Sequence, residues 1–309
     1  MTHVYVASVY ANGYREGTQS GRYEKLTEFE RGITKRIPHI LESYHYINKQ
    51  TMVDSIRRDN GKVFLDSGAF SAYTLGVTID LPTYCQYIIQ NQDIIIKDNN
   101  CILASVLDGI GDPLLTYQNQ KQMESFGVTP LPCFHKNEDP RYLEYYLSNY
   151  EYITIGGMVG SSVKSLEMYL DEIWEKYMLD GSGNPKCKVH GFGMTSLKLM
   201  KRYPWYSCDS SSWIQVAAFG SIQHLKLGVI PISDKSPSRK TMGRHLTTLT
   251  EPEKDYIEKE IEASGFNHER LSQVYESRAV FNIHTFTRMT ELLTHHGSDQ
   301  LKITQQGLF

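Results

Sequence analysis

An α/β fold, a (β/α)8 TIM barrel with a helical C-terminal extension, is what this 309-residue chain predicts, and three observations carry it. Short apolar or β-branched runs recur eight times. Helix-like segments lie between most of them. Several runs end in an acid or a glycine pair, as strands do where they hand side chains to the C-terminal rim of a barrel. A doubly wound open sheet is the competing architecture. Its nucleotide-cofactor form is disfavoured because no Gly-x-Gly-x-x-Gly follows the first run.

The expected strands are residues 3–9, 40–47, 62–65, 101–107, 128–134, 152–155, 187–192 and 205–208. Helices are expected over 81–91 behind Pro82, 113–126, 140–149, 162–179 with Ser162 as N-cap, and 195–203. Proline near a helix start and a hydroxyl before it supply the boundaries. Two insertions fall outside this rhythm: a polar loop over 11–25, either on the active face or a surface excursion, and a mobile basic loop over 230–244. Residues 251–262 and 271–293 then turn helical and either close the barrel or mediate pairing with a second copy of the chain. The expected division is a catalytic barrel over 1–230 and a basic loop with helices over 231–309.

The stretch from Lys62 to Ser71 organises the rest, because Lys62-Val63-Phe64-Leu65 reads as a buried strand that delivers Asp66 into a glycine-softened turn. The alternative is that Asp66 and Ser67 only cap the following helix. Further on, Asp108, His135, the pair Gly156-Gly157 with Met158, His190 and Asp209 stand at later strand ends. Three aspartates on three separate strand ends, with glycines between them, point to a ligand site. Bare backbone at Gly156-Gly157 suits a flat heterocycle whose ring carbonyl takes an amide N–H, and Asp108 suits its amino edge. A phosphate would be repelled by the acids. Two carboxylates, Asp209 and Asp66, suit glycosidic chemistry with retention, one attacking the anomeric carbon and the other managing the leaving group's proton.

Composition narrows the classes. There is no run of 18 or more apolar residues and no basic-then-hydrophobic N-terminus, which leads us to expect a soluble cytoplasmic protein with no membrane partner. The five cysteines have no Cys-x-x-Cys or Cys/His zinc spacing, so neither a disulfide framework nor a cysteine-based structural zinc is expected, and no metal or cofactor is assigned. The net charge of −3 hides an asymmetry: between Lys186 and Arg244 ten Lys/Arg face two acids. Within it Lys201, Arg202, Lys235, Arg239, Lys240 and Arg244 are candidate nucleic-acid contacts, the alternative being a solvated face balanced by acids elsewhere. Tyr14, Tyr23, Phe192, Trp205 and Trp213 are candidate rim aromatics for stacking, although with 21 tyrosines most such residues pack ordinarily.

Taken in order, these motifs resemble those of the tRNA-guanine transglycosylases. Asp66-Ser67-Gly68-Ala69-Phe70 is similar to that family's Asp-Ser-Gly-Gly-Phe-Gln, Leu107-Asp108 to its second aspartate, and Ile155-Gly156-Gly157-Met158-Val159-Gly160 to its Gly-Gly-Leu-x-x-Gly turn. Lys188-Val189-His190-Gly191-Phe192-Gly193 looks like its His-Leu-Leu-Gly-Val-Gly strand, and Ser207-Cys208-Asp209 falls where its nucleophile does. The resemblance covers residues 62–213, about half the chain. It implies a pentosyltransferase on a TIM barrel that exchanges guanine for a free 7-deazaguanine through a covalent enzyme–sugar intermediate. Asp209 is then the nucleophile and Asp66 the general acid/base. Asp108 reads the amino edge, Gly157 donates its backbone N–H to the carbonyl with Gly156 beside it in the substrate site, Met158 lies near the 7-substituent, and Phe70 walls the pocket.

Departures refine the expectation. Ser71 replaces the family's glutamine, and His135 either substitutes for a second base-reading glutamine or is a core or capping residue. The Cys-x-Cys-x-x-Cys…His zinc element of the tRNA enzymes is missing. The chain therefore looks more like the DNA-acting branch, the deoxypurine-in-DNA transglycosylases of genomic islands and phages, with DNA rather than tRNA as partner and the host cytoplasm as location if viral. A guanine in duplex must be flipped out or presented on a single strand. The other functions kept open are a tRNA enzyme, a retaining glycoside hydrolase and a catalytically silent nucleic-acid-binding barrel.

Overall fold

Seven parallel strands form one curled sheet with helices on its outer face, in a computed structural model that describes residues 2–18, 20–99 and 101–295. The strands are β1 (His3–Ala7), β2 (Ile40–Ser43), β3 (Phe64–Asp66), β4 (Cys133–His135), β5 (Tyr152–Gly156), β6 (Lys188–Gly191) and β7 (Ser207–Ser210), in spatial order β3-β2-β1-β7-β6-β5-β4. Register places Tyr5 beside Asp209, Ser43 beside Asp66, and His135 beside Gly156. Sequence-adjacent strands are neighbours except β3 and β4, which lie at opposite edges of the sheet, and the first and last strands, β1 and β7, pair at its centre.

Segment 103–106 runs between the two edge strands without being a regular strand. Ser105 N–H donates to the Leu65 carbonyl at 2.9 Å, and Val106 N–H to the Leu131 carbonyl at 3.0 Å. Residues before it turn aside, since Cys101–Ile102 pairs antiparallel with Lys97–Asp98. That detour shortens the strand expected over 101–107.

Strands of a parallel sheet are covered on both faces, and their side chains alternate between two cores. Tyr5, Ala7, Leu41, Phe64, Leu103, Leu131 and Tyr152 pack together on the concave side. Val4, Val6, Ile40, Val63, Leu65, Ile153, Ile155 and Val189 face the helices. The two-residue period that builds the concave core continues along the same strands to Asp66, His135, Gly156, His190 and Asp209, so the rim residues face the same way as the core beneath them.

Helix starts follow local chemistry. Pro113 and Pro140 open their helices behind Asp112 and Asp139, whose carboxylates accept from Leu115 N–H and Arg141 N–H. Ser162 caps Val163–Ile173 as expected, but the helix then widens into a π-helical turn at Trp174–Met178 instead of continuing unchanged to 179. Strand β2 stops at Ser43, and a helical turn over Tyr44–Ile47 replaces the end of the strand expected to 47. Helices Glu28–Lys35, Gln50–Arg58 and Ala69–Thr74 complete the crossovers in stretches not assigned from sequence.

The segment over 11–25 is no loose excursion. Tyr10 and Tyr14 are fully buried, and Arg15 is ion-paired to Asp59. The basic segment is also tied down: Gly228–Pro231 pairs with Ser221–His224, and buried His245 hydrogen-bonds the Ser233 carbonyl at 3.1 Å. The final helix, Tyr275–His295, packs on β1 and on helix Ser212–Ala218. Its Asn282 accepts from Gln223 N–H at 2.6 Å and donates to the Trp213 carbonyl at 3.0 Å. Residues 296–309 of the expected C-terminal unit lie outside the described residues. Among the described residues no helix is long and apolar enough to cross a membrane.

Candidate active site

Asp66, Asp108, His135, Gly156, Gly157, Asp209 and Phe70 all line one cavity of about 650 Å³ at the C-terminal ends of the strands. A cavity of this size takes a nucleoside-sized ligand. Sheet register fixes where Asp66 and Asp209 stand, and Asp108 arrives on the segment that follows residues 103–106.

Asp209 sits at the third position of β7 and is 6% exposed. Its Oδ1 accepts from Gly193 N–H at 2.9 Å and lies 3.2 Å from His190 Nε2. Gly193 has φ +63°, a conformation glycine adopts at little cost, and this turns its N–H towards the carboxylate. Behind His190, its Nδ1 is 2.6 Å from Ser207 Oγ, which is 2.6 Å from Tyr152 Oη. With Asp209 ionised, the chain has one satisfying direction: Tyr152 donates to Ser207, Ser207 to His190 Nδ1, and His190 Nε2–H to Asp209. This buried relay holds one carboxylate oxygen and fixes the side-chain orientation.

Asp66 ends β3. Its Oδ2 accepts from Gly68 N–H at 2.9 Å and its Oδ1 from the Ser105 hydroxyl at 3.3 Å. The Gly68 bond closes a local turn and is not a helix cap, since Gly68 is itself the N-cap of Ala69–Thr74 and that helix start carries no side-chain capping bond, and Asp66 lines the cavity instead. Burial pushes its carboxyl up to about 7, with the charges of Asp108 and Asp209 adding to the shift against the two hydrogen bonds. A carboxyl poised near neutral can give and take a proton at physiological pH. Asp209 lines the same cavity.

Asp108 is 3.4 Å from His135 Nε2 through Oδ2, while its Oδ1 is buried with no hydrogen-bond partner among the described residues. His135 Nε2 is also 3.5 Å from Cys133 Sγ, and its Nδ1 is 3.0 Å from Glu138 Oε1. Burial works against charging this imidazole, but the Cys133 sulfur and the carboxylates of Asp108 and Glu138 outweigh it and raise its pKa. Burial pushes the Cys133 thiol up to about 11, so no thiolate nucleophile stands here at neutral pH without a cation to ionise it.

The glycine pair behaves as its position requires. A Cβ on Gly156 would come within 2.7 Å of His135 Cδ2, and Gly157 has φ +69°. Gly157 stands open on the cavity wall, as a flat ligand needs. Met158 does not line the cavity: it is 2% exposed and packs into the helix-facing core, and the next residue, Val159, takes its place on the wall. The turn puts the odd residue outward, which the motif alone does not reveal.

The rim aromatics are also placed differently from expectation. Tyr14, Tyr23, Trp205 and Trp213 are buried core residues, and of the five only Phe192 lines the cavity. The exposed rim aromatics are Phe70 at 61% and Tyr46 at 46%. None of the six basic candidates lines the cavity. Lys201, Lys235, Lys240 and Arg244 are exposed. Arg202 is held by Asp171 through two contacts of 2.9 Å, and Arg239 lies 3.8 Å from Asp234. The cation on the cavity wall is one the sequence reading passed over, Lys136, whose Nζ bonds Ser161 and Ser165. Cys133 and Glu138 were likewise not assigned roles, although their inward parity on β4 and the tight turn after it were readable.

No protein-family model matches the chain, and no curated protein matches it.

Proposed function

We propose that the chain is a base-exchange glycosyltransferase that replaces guanine in DNA by a 7-deazaguanine derivative through a covalent aspartyl–sugar intermediate. The observation that carries this reading is the sharing of one cavity by Asp209, held in place through Oδ1, and Asp66, whose carboxyl keeps its proton up to about pH 7.

In this mechanism the ionised Asp209 attacks C1′ of the nucleotide, forming a C1′–O bond as the C1′–N bond to guanine breaks. Asp66 gives its proton to the departing base. In the second half the incoming deazaguanine loses a proton to Asp66, its nitrogen attacks C1′, and Asp209 leaves as carboxylate. The heterocycle lies between Phe70 and the bare backbone of Gly156-Gly157, with the Gly157 N–H aimed at its carbonyl and Asp108 at its amino edge. Val159 takes the place expected of Met158 beside the 7-substituent.

The closed (β/α)8 barrel belongs to this reading. Segment 103–106, hydrogen-bonded to β3 on one side and to the approach of β4 on the other, supports it as the eighth strand. DNA as the polymer rests on the resemblance, the missing cysteine cluster of the tRNA enzymes and the exposed Lys201, Lys235, Lys240 and Arg244. With Phe70 and Tyr46 exposed at the rim, the target nucleotide enters flipped or single-stranded.

The test is incubation of the protein with labelled guanine and either DNA or unmodified tRNA. Incorporation into DNA supports the proposal. Incorporation into tRNA alone assigns the tRNA reaction, and sugar hydrolysis without incorporation assigns a glycoside hydrolase.

A further inference from the structure

We propose that Asp108, Cys133 and His135 form a binding site for a divalent transition metal, with zinc as the best fit, on the cavity wall. The ligating atoms of the three residues all lie within 4.8 Å of one another, with His135 Nε2 3.4 Å from Asp108 Oδ2 and 3.5 Å from Cys133 Sγ. Tetrahedral zinc, with bonds of about 2.0 Å to nitrogen or oxygen and about 2.3 Å to sulfur, spaces neighbouring donors about 3.3–3.6 Å apart. The 3.4 Å between His135 Nε2 and Asp108 Oδ2 is long for a hydrogen bond to an imidazole, while 3.5 Å to the Cys133 sulfur is equally the length of a weak sulfur hydrogen bond and the spacing of two donors on one ion.

Two further features fit a metal. Glu138 grips His135 twice: Oε1 is 3.0 Å from Nδ1, and Oε2 accepts the His135 backbone N–H at 3.0 Å. A carboxylate on Nδ1 holds the proton there, so that once an ion displaces the Nε2 proton the lone pair faces the other two donors, which is the usual outer-sphere arrangement around a zinc-bound histidine. The chain pays for this contact locally, with Asn137 in the left-handed region at φ +71° to bring Glu138 back under the ring. The second feature is the buried Oδ1 of Asp108, which has no hydrogen-bond partner among the described residues. A cation among the three donors gives that oxygen the partner it lacks among the described residues.

The donor set selects the ion. Thiolate and imidazole with one carboxylate suit zinc, whereas magnesium and calcium take oxygen ligands. All three residues line the cavity, so the ion has an open position towards the ligand, as in catalytic and not structural sites. Binding releases the thiol proton of Cys133 and the Nε2 proton of His135 to solvent. The sequence reading missed the site because Cys133-x-His135 is paired with an aspartate from a different strand, and no local spacing announces it. The inference stands on the donor geometry and does not depend on base exchange.

The experiment strips the full-length protein with a chelator and titrates it with Co²⁺ as spectroscopic probe, with Zn²⁺ as competitor. One equivalent of Co²⁺ with a thiolate-to-metal charge-transfer band, displaced by Zn²⁺, is the expected result. Cys133→Ser should lose the band, and Glu138→Gln, which touches only the outer sphere, should weaken binding about 10- to 100-fold. Asp209→Asn should bind as the wild type does, which separates this site from the transfer chemistry. Absence of Co²⁺ binding by the folded wild type, or binding unchanged in both Cys133→Ser and Glu138→Gln, overturns the proposal.

Discussion

His190 Nε2 lies 3.2 Å from Asp209 Oδ1, and the same imidazole reaches back through Nδ1 to Ser207, 2.6 Å away. The contact joins the concave core to the rim, since Ser207 also meets Tyr152. His190→Phe keeps the ring volume but removes the donor to Asp209 and the acceptor for Ser207. A hydrogen bond to a charged group is worth about 1.5–3 kcal/mol, so denaturant unfolding should show a loss of that order. The same energy withheld from the transition state slows base exchange about 10- to 100-fold.

Asp66 gives the reaction a pH signature. The step that forms the sugar–enzyme bond needs its protonated form, so single-turnover adduct formation should fall as pH rises through about 7. Asp66→Asn should remove that limb together with most of the rate. The stability linkage has the same sign. The folded carboxyl holds its proton more tightly than the unfolded one, so its contribution falls from the ordinary carboxylate range up to about 7 and is level above it.

Glu42 offers a stability test away from the chemistry. It is fully buried under the β1 turn and accepts from Tyr10 N–H at 2.6 Å and Ala11 N–H at 3.3 Å, and burial pushes its carboxyl up to about 8. Folding stability should therefore decline as pH rises towards 8, with a slope approaching about 1.4 kcal/mol per pH unit from this group. Glu42→Gln cannot ionise, so its unfolding free energy should lose that slope between pH 5 and about 8.

Gly156 is closed to any side chain. Gly156→Ala places a Cβ 2.7 Å from His135 Cδ2 and 3.1 Å from Cys133 Sγ. Overpacking of this kind costs about 1–3 kcal/mol. Thermal melting should show the loss, and binding of a guanine analogue should weaken with it because the wall that faces the base has moved.

Period-two alternation made much of this site readable. Phe64 to Asp66, Tyr152 to Gly156 and Ser207 to Asp209 keep one face along each strand, and the acids fall on the face of the concave core. Proline at 113 and 140 announced two helices, and the aspartates before them prove to be the caps. Residues in turns were less readable. Gly157 at φ +69° sends Met158 inward and Val159 outward, and no periodicity survives such a turn. The approach of Asp108 to Cys133 and His135 is tertiary, set by how segment 103–106 threads between two strands. Arg202 looked available for a polyanion until the fold brought Asp171 beside it.

The most direct measurement is capture of the sugar–enzyme bond: wild-type protein and the Asp209→Asn variant incubated with guanine-containing single-stranded DNA, denatured, and resolved by size. The account predicts a denaturation-resistant protein–DNA adduct for the wild type and none for Asp209→Asn, with the variant still binding DNA before denaturation. An adduct formed equally well by Asp209→Asn contradicts it.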